Sequence, residues 1–237
     1  MQNGDLYPTK NSGNVVVVNY ENSKSVLVRF VETGYETNVT AKTLREGYVR
    51  DLYHRSVCGV GFVGEGKYAY TSHKKLYTLW SNMLMRCYDP DYQRRYPTYI
   101  GCSVVDRWHC LQTFCRDITK MDNWNARGFE LDKDLRVLGN KVYGPRFCSF
   151  VPHDVNSVVV KADSEGIEKR NNGNGDLYYA RLTLFGKSTY FPCDSEEDAR
   201  LSYKLLKAKY VKMVGEYYRH VIHPQVYYNM RRFKCIP

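Results

Sequence analysis

Gly128-Phe129-Glu130-Leu131-Asp132-Lys133-Asp134-Leu135, then Gly139-Asn140-Lys141-Val142-Tyr143-Gly144-Pro145, then Cys148-Ser149-Phe150-Val151-Pro152-His153-Asp154-Val155-Asn156: this stretch decides how the 237-residue chain is read. It reads as strand, loop, strand, helix. Pro152 suits the first helical turn, where a missing N–H costs nothing, and Ser149 or a neighbour is the expected cap.

Working outward toward the C-terminus, Gly166-Ile167-Glu168-Lys169-Arg170, the run 177–184 and Ser188-Thr189-Tyr190-Phe191 predict three strands, separated by turns at 171–175 and 185–187. A helix follows from Ser195, with Ser195 and Asp198 spaced as a capping box. Strand alternation puts Tyr178, Ala180, Leu182 and Leu184 on one face, packed on Ala199, Tyr203, Leu206 and Tyr210 of that helix. Tyr179, Arg181 and Thr183 then face outward, with Lys169 or Arg170 beside them. Arg200, Lys204 and Lys207 fall at i, i+4, i+7, a charged helix face expected to be solvated or to touch phosphate.

Toward the N-terminus, two helices are expected. One runs from Leu76 to Tyr88 with Tyr77, Trp80, Leu84 and Cys87 on one face, and stops at Asp89-Pro90. The other surrounds Trp108 to Ile118 and aligns Trp108, Leu111, Cys115 and Ile118. Arg86, Arg94, Arg95 and Arg107 near the connection are either phosphate grips or solvated charges. The glycine-rich string 58–66 lacks the Gly-Lys-Ser/Thr of a phosphate loop and predicts a linker over 58–75. Before it, the β-branched runs 15–20 and 25–31 and a third strand near 35–39 predict a small SH3-like β-barrel or meander over 1–57. The resulting division is 1–57, 58–75, 76–160 and 161–237, in an α+β fold class.

Composition sets the outer limits. A hydrophobic fraction of 43% with 22 Tyr is enough for a packed core. No apolar run approaches the ~18–20 residues of a membrane span, and the polar N-terminus has no signal-peptide pattern, so a soluble, cytoplasmic chain is expected. The formal charge of +10 is spread along the chain rather than gathered in a tail, which favours a polyanionic partner met at several points. Eight Cys occur without a Cys-x-x-Cys pair, so a zinc knuckle is not expected and reduced thiols are. Cys102, Cys110 and Cys115 with His109 stand as either a metal cluster or core thiols.

The quoted stretch resembles the ββα-metal core of HNH endonucleases, in particular a phage, homing-type branch reading Leu-Asp-Lys-Asp, Gly-Asn-Lys-Val-Tyr, Phe-Val-Pro and a closing Asn. With the two tryptophan-bearing helices before it, the similarity covers at least residues 76–160. The resemblance implies Mg²⁺ or Mn²⁺ on the scissile phosphate, with Asp132 as the strand ligand and Asn156 as the helix ligand. It implies for Asn140 the role of ordering the loop. Lys133 stands where the family carries its catalytic His. A lysine, with an ordinary pKa of ~10.4, cannot accept a proton at neutral pH unless its surroundings depress that value. Residues 166–213 resemble the AP2 DNA-binding domain, whose three-stranded sheet reads the major groove while a helix braces it. That makes Lys169, Arg170, Tyr179, Arg181, Thr183 and Lys187 the expected DNA contacts. Pro192-Cys193 replaces the glycine that such domains carry before the helix. Two functions follow: a metal-dependent homing-type endonuclease acting on double-stranded DNA, or a nuclease-dead scaffold that binds DNA and regulates or inhibits a host protein. Either belongs in the cytoplasm of an infected bacterial host.

Overall fold

A computed structural model describes residues 1–160, 166–171, 175–184 and 186–234. The turn expected over 171–175 and the one at 185–187 lie partly outside these residues, as does Cys235. The fold is mixed α+β, in two compact units, Met1–Arg116 and Asp117–Pro237. The division falls inside the stretch 76–160 that the sequence presents as one module.

The first unit opens with four strands in sequential order, β1 Leu6–Pro8, β2 Asn14–Asn22, β3 Ser25–Phe30 and β4 Glu36–Val39, each antiparallel to the next. Period-2 alternation sends Val15, Val17, Val26, Val28 and Phe30 inward, where Ala41 and Leu44 of helix α1 (Ala41–Arg45) and Val49 close over them. The sheet is an open meander and not the closed barrel considered above, for the hydrogen-bonded order runs β1-β2-β3-β4 without returning to β1. Strand β1 went unread because Leu6-Tyr7-Pro8 is too short for periodicity to register.

Helix α2 (Lys74–Tyr88) buries Leu76, Trp80, Met83, Leu84 and Cys87 and ends where Asp89 caps α3 (Pro90–Arg95), accepting from Tyr92 N at 2.8 Å. After a short strand, β5 (Ser103–Val104), comes helix α4 (Leu111–Ile118); Trp80 Nε1 donates to Trp108 O at 2.8 Å.

The segment 58–75 is not a linker. Gly61 lies so close to α2 that a Cβ there would stand 2.4 Å from Leu84 Cδ1 and 2.9 Å from the Trp80 ring. Gln112 of α4 donates to Val63 O and Tyr68 O at 3.2 and 2.8 Å and accepts from Tyr68 N at 3.0 Å. Gly61 serves close packing, a use that composition alone does not separate from freedom of φ.

In the second unit, β6 (Phe129–Asp132) pairs antiparallel with β8 (Ser149–Pro152), in the register Phe129↔Pro152 to Asp132↔Ser149. The intervening loop holds β7 (Val142–Tyr143), and α5 (His153–Val160) follows β8 directly. Pro152 closes the strand rather than opening the helix, and Ser149 is buried in β8 rather than capping. A three-stranded antiparallel sheet follows, β9 (Ile167–Asn171), β10 (Asp176–Leu184) and β11 (Lys187–Cys193), with β10 in the middle. Helix α6 (Glu196–Tyr217) is capped by Ser195, whose Oγ accepts from Asp198 N at 3.1 Å, and α7 (Pro224–Arg231) completes the unit. The front of α6 meets the sheet, where Tyr203 packs on Ala180 and Leu182 with Leu206 and Tyr210 beside them. Its far half places Val211 and Val214 in a second core with Val151, Val155 and Val158 and with Val226 and Met230 of α7.

Among the described residues no helix is long and apolar enough to cross a membrane. The seven described cysteines are free thiols, and burial pushes Cys115 and Cys148 up to about 12, which keeps them protonated and inert.

The packing of Gly61 has a measurable consequence. Gly61→Ala should destabilise the chain by ~1–3 kcal/mol in urea unfolding, the usual cost of overfilling a packed site. An unchanged midpoint would mean that the segment moves freely, as a linker does.

Candidate functional site

The strand–loop–strand–helix segment brings some of the expected residues together and separates others. Asp132 ends β6, and its Oδ1 accepts from Asp134 N at 2.9 Å and Leu135 N at 2.7 Å, folding the chain into a turn as it leaves the sheet. The residue is only 7% exposed. Burial pushes its pKa up to about 6, against the pull of those two N–H groups. Lys133 is buried as well, ion-paired at 2.5 Å with Asp134 Oδ1 and donating to Asn140 O at 3.3 Å. An ammonium so held is a donor fixed in the fold and not a base facing solvent. Asn140 bridges the same loop, its Nδ2 donating to Lys133 O at 2.9 Å and Val142 O at 2.7 Å.

Asn156 is not directed at Asp132. Its Nδ2 donates to Glu130 Oε2 at 2.7 Å, and Glu130 Oε1 lies 2.8 Å from His153 Nδ1. Glu130, His153 and Asn156 thus form an exposed clamp tying β6 to the first turn of α5. Sequence reasoning passed over Glu130, because the motif drew attention two residues further along the strand. The available signal was that Glu130 shares a strand face with Asp132, and that His153 and Asn156 stand at i, i+3 on the helix.

These residues do not fit Mg²⁺ or Mn²⁺. A hard cation takes ionised, accessible oxygens. Asp132 spends Oδ1 on two backbone N–H groups inside a buried turn, and burial favours the protonated form of its carboxyl, which is the poorer ligand. Among the described residues no three His, Cys, Asp or Glu side chains are grouped to hold a metal ion, so Cys102, Cys110, Cys115 and His109 form no such cluster.

The three-stranded sheet has two unlike faces. Ala180 and Leu182 face α6. The other face is open, and the register assembles on it Glu168 and Arg170 of β9, Tyr179, Arg181 and Thr183 of β10, and Ser188 and Tyr190 of β11. The Arg170 guanidinium lies over the rings of Tyr179 and Tyr190, at 4.9 and 4.7 Å, and pairs with Glu168 at 2.8 Å. Arg181 reaches the same carboxylate at 3.6 Å, and Thr183 Oγ1 is 2.9 Å from Ser188 Oγ.

Two of the expected DNA contacts are elsewhere. Lys169 sits opposite Tyr178, so it falls on the helix side, paired with Asp176 at 2.7 Å. Lys187 has the parity of Thr189 and Phe191 and stands exposed at the end of the hairpin on that same side. Lys207 is buried, not part of a solvated helix face.

Asp132 yields a pH prediction. Its folded pKa is raised, so its burial costs nothing below the unfolded value of ~3.9, where both states hold the proton, and the full penalty applies above about 6. Asp132→Asn keeps an oxygen for the two N–H groups and removes the charge. It should stabilise the chain by ~1–3 kcal/mol at pH 8, with the gain fading as pH falls to 4. Denaturant midpoints at both pH values check this, and a loss of stability at pH 8 would contradict it.

With the geometry described, comparison adds no relative: no protein-family model, no curated protein and no solved structure matches the sequence.

Proposed function

We propose that this chain is a DNA-binding protein of HNH lineage that reads duplex DNA with the open face of β9-β10-β11. One observation carries the reading: a braced antiparallel sheet whose exposed face gathers Arg170, Tyr179, Arg181 and Thr183 while its other face is packed on α6. A β-sheet surface of this kind enters a groove as a unit, Arg pairs bidentately with guanine O6 and N7, and Thr meets a thymine methyl. The overall charge of +10 supports association with a polyanion.

The β6, β8, α5 order supports the HNH kinship. The groups at the metal and base positions are spent on the fold, Asp132 on its turn and Lys133 on Asp134. That favours the nuclease-dead alternative, in which the unit is scaffold.

The test begins by selecting a preferred duplex from a random pool. Arg181→Ala should then cost ~1–3 kcal/mol on the selected site and little on random duplex, and Arg170→Ala should behave alike. Lys169→Ala and Lys187→Ala, on the opposite side of the sheet, should leave that discrimination intact. Equal losses on selected and random DNA for Arg181→Ala would overturn base reading by this face.

A further inference from the structure

Within the second unit, the turn between α6 and α7 faces the start of β8 across a cavity of about 740 Å³. That is the size of a small-molecule site, ~300–1,000 Å³. Its walls are tied together rather than merely adjacent. Asn123, in the left-handed region at φ 61°, donates from Nδ2 to Val221 O at 2.7 Å and so fixes the loop after α4 to the α6–α7 turn.

The lining is cationic. Lys120, Arg136 and Arg219 bring three positive charges to the wall, against the carboxylates of Asp122 in the lining and of Glu216 behind Arg219. Arg219 is partly engaged by Glu216 and by His220 Nε2 at 2.8 Å. Arg136 is held by Pro145 O and Cys148 O, at 3.3 and 3.4 Å from Nη1, and among the described residues no carboxylate pairs with it. His223 also lines the space. Its Nδ1 accepts from Gln225 N at 3.1 Å, so the neutral ring carries its proton on Nε2 and is a donor there. Burial, and after it the nearby Arg136 charge, hold His223 below the ordinary histidine range, while Asp122 pulls the other way.

Ser149 makes the cavity more than a basic hollow. It is 6% exposed and lines the wall, and among the described residues its Oγ is the one buried side-chain polar atom without a hydrogen-bond partner. Folded proteins rarely leave such a group unmatched, and a ligand oxygen is one way to match it. Phe150 and Ile222 add apolar surface to the same wall.

We propose that this cavity binds an organic phosphate: a phosphate monoester carried on a body with an apolar or ring-bearing part. A phosphate monoester carries about −1.5 to −2 at neutral pH and presents three acceptor oxygens, which suits a wall of several separate donors better than a carboxylate does. Its oxygens accept from Arg136 and Lys120 and, once the wall opens to admit it, from the Ser149 hydroxyl, which is closed off from solvent in the free protein; its body lies toward Phe150 and Ile222. This site is separate from the open sheet face and does not depend on DNA binding.

Adenosine 5′-monophosphate is the probe, titrated calorimetrically into the full chain alongside adenosine and inorganic phosphate. The monophosphate should bind at least about tenfold more tightly than either part. Ser149→Ala removes a buried hydroxyl that bonds nothing in the free protein, so it should not lower the melting temperature and should still weaken the monophosphate by roughly three- to tenfold. Lys120→Ala, at an exposed position, should weaken it similarly, and Arg181→Ala on the sheet should not. Amide shifts on binding should centre on residues 219–223. Absence of saturable binding, inorganic phosphate binding as tightly as the monophosphate, or affinity indifferent to both Ser149→Ala and Lys120→Ala would each overturn the proposal.

Discussion

Helix α6 meets two different surfaces along its length, and the second unit is organised by that constraint. Tyr203 faces Ala180 and Leu182 of the sheet, whereas Val211 and Val214 face Val155, Val158 and Val226. At ~100° per residue, Val211 and Val214 point roughly 80° and 20° from Tyr203, so the apolar surface turns about the axis along the helix and meets a different partner at each end. Each end demands close approach. A Cβ at Gly166 would stand 2.0 Å from the Tyr203 ring, and one at Gly215 3.0 Å from Met230 Cβ. Tyr218, just past the helix, donates to Asp154 of α5 at 2.9 Å. The sheet and the β6-β8-α5 segment are thereby mounted on one rigid element.

What was legible in the sequence was whatever depends on local period. The alternation Tyr178-Tyr179-Ala180-Arg181-Leu182 sorts β10 into inner and outer sets without knowledge of its neighbours, and the observed faces follow that sorting. Adjacent Lys169 and Arg170 could not be sorted in the same way. Their faces depend on how β9 registers against β10, with Tyr178 opposite Lys169 and Leu177 opposite Arg170. Gly61 misled for a related reason: a glycine at a close contact looks the same in sequence as one in a flexible link. The partners of Asn156 were missed for another reason: a motif lists residues along the chain while the contact is made across strand and helix, and only the strand parity of Glu130 and the i, i+3 spacing of His153 and Asn156 hint at it.

Glu130 and Asp132 show how far environment outweighs residue type. They lie two apart on one strand, on the same face, and have opposite fates. Glu130 is exposed enough to hold His153 and Asn156 with its two oxygens. Asp132 is enclosed at the strand end, where its Oδ1 satisfies two N–H groups that would otherwise be stranded at the turn. The buried carboxylate is retained because the turn needs an acceptor there, and the cost appears as its raised pKa. A carboxylate that shapes the backbone in this way has little freedom left to follow a ligand.

On the open sheet face the decisive group is an acid. Glu168 stands between Arg170 and Arg181, at 2.8 and 3.6 Å, so the three side chains together carry one net positive charge. Surface ion pairs of this kind are worth only ~0–1 kcal/mol, so Glu168 orients the guanidinium groups without locking them away. The rings of Tyr179 and Tyr190 confine Arg170 further, which lowers the ordering cost of any bidentate contact it makes. Such a face attracts phosphate weakly. Under the proposed reading, non-specific affinity comes from the positive charge distributed over the chain, and the sheet contributes discrimination: Arg170 and Arg181 donate to guanine, while the Glu168 carboxylate accepts from cytosine N4. On that reading the acid adds a second kind of base contact to the one the arginines make, and by offsetting their charge it lowers the share of affinity that is indifferent to sequence.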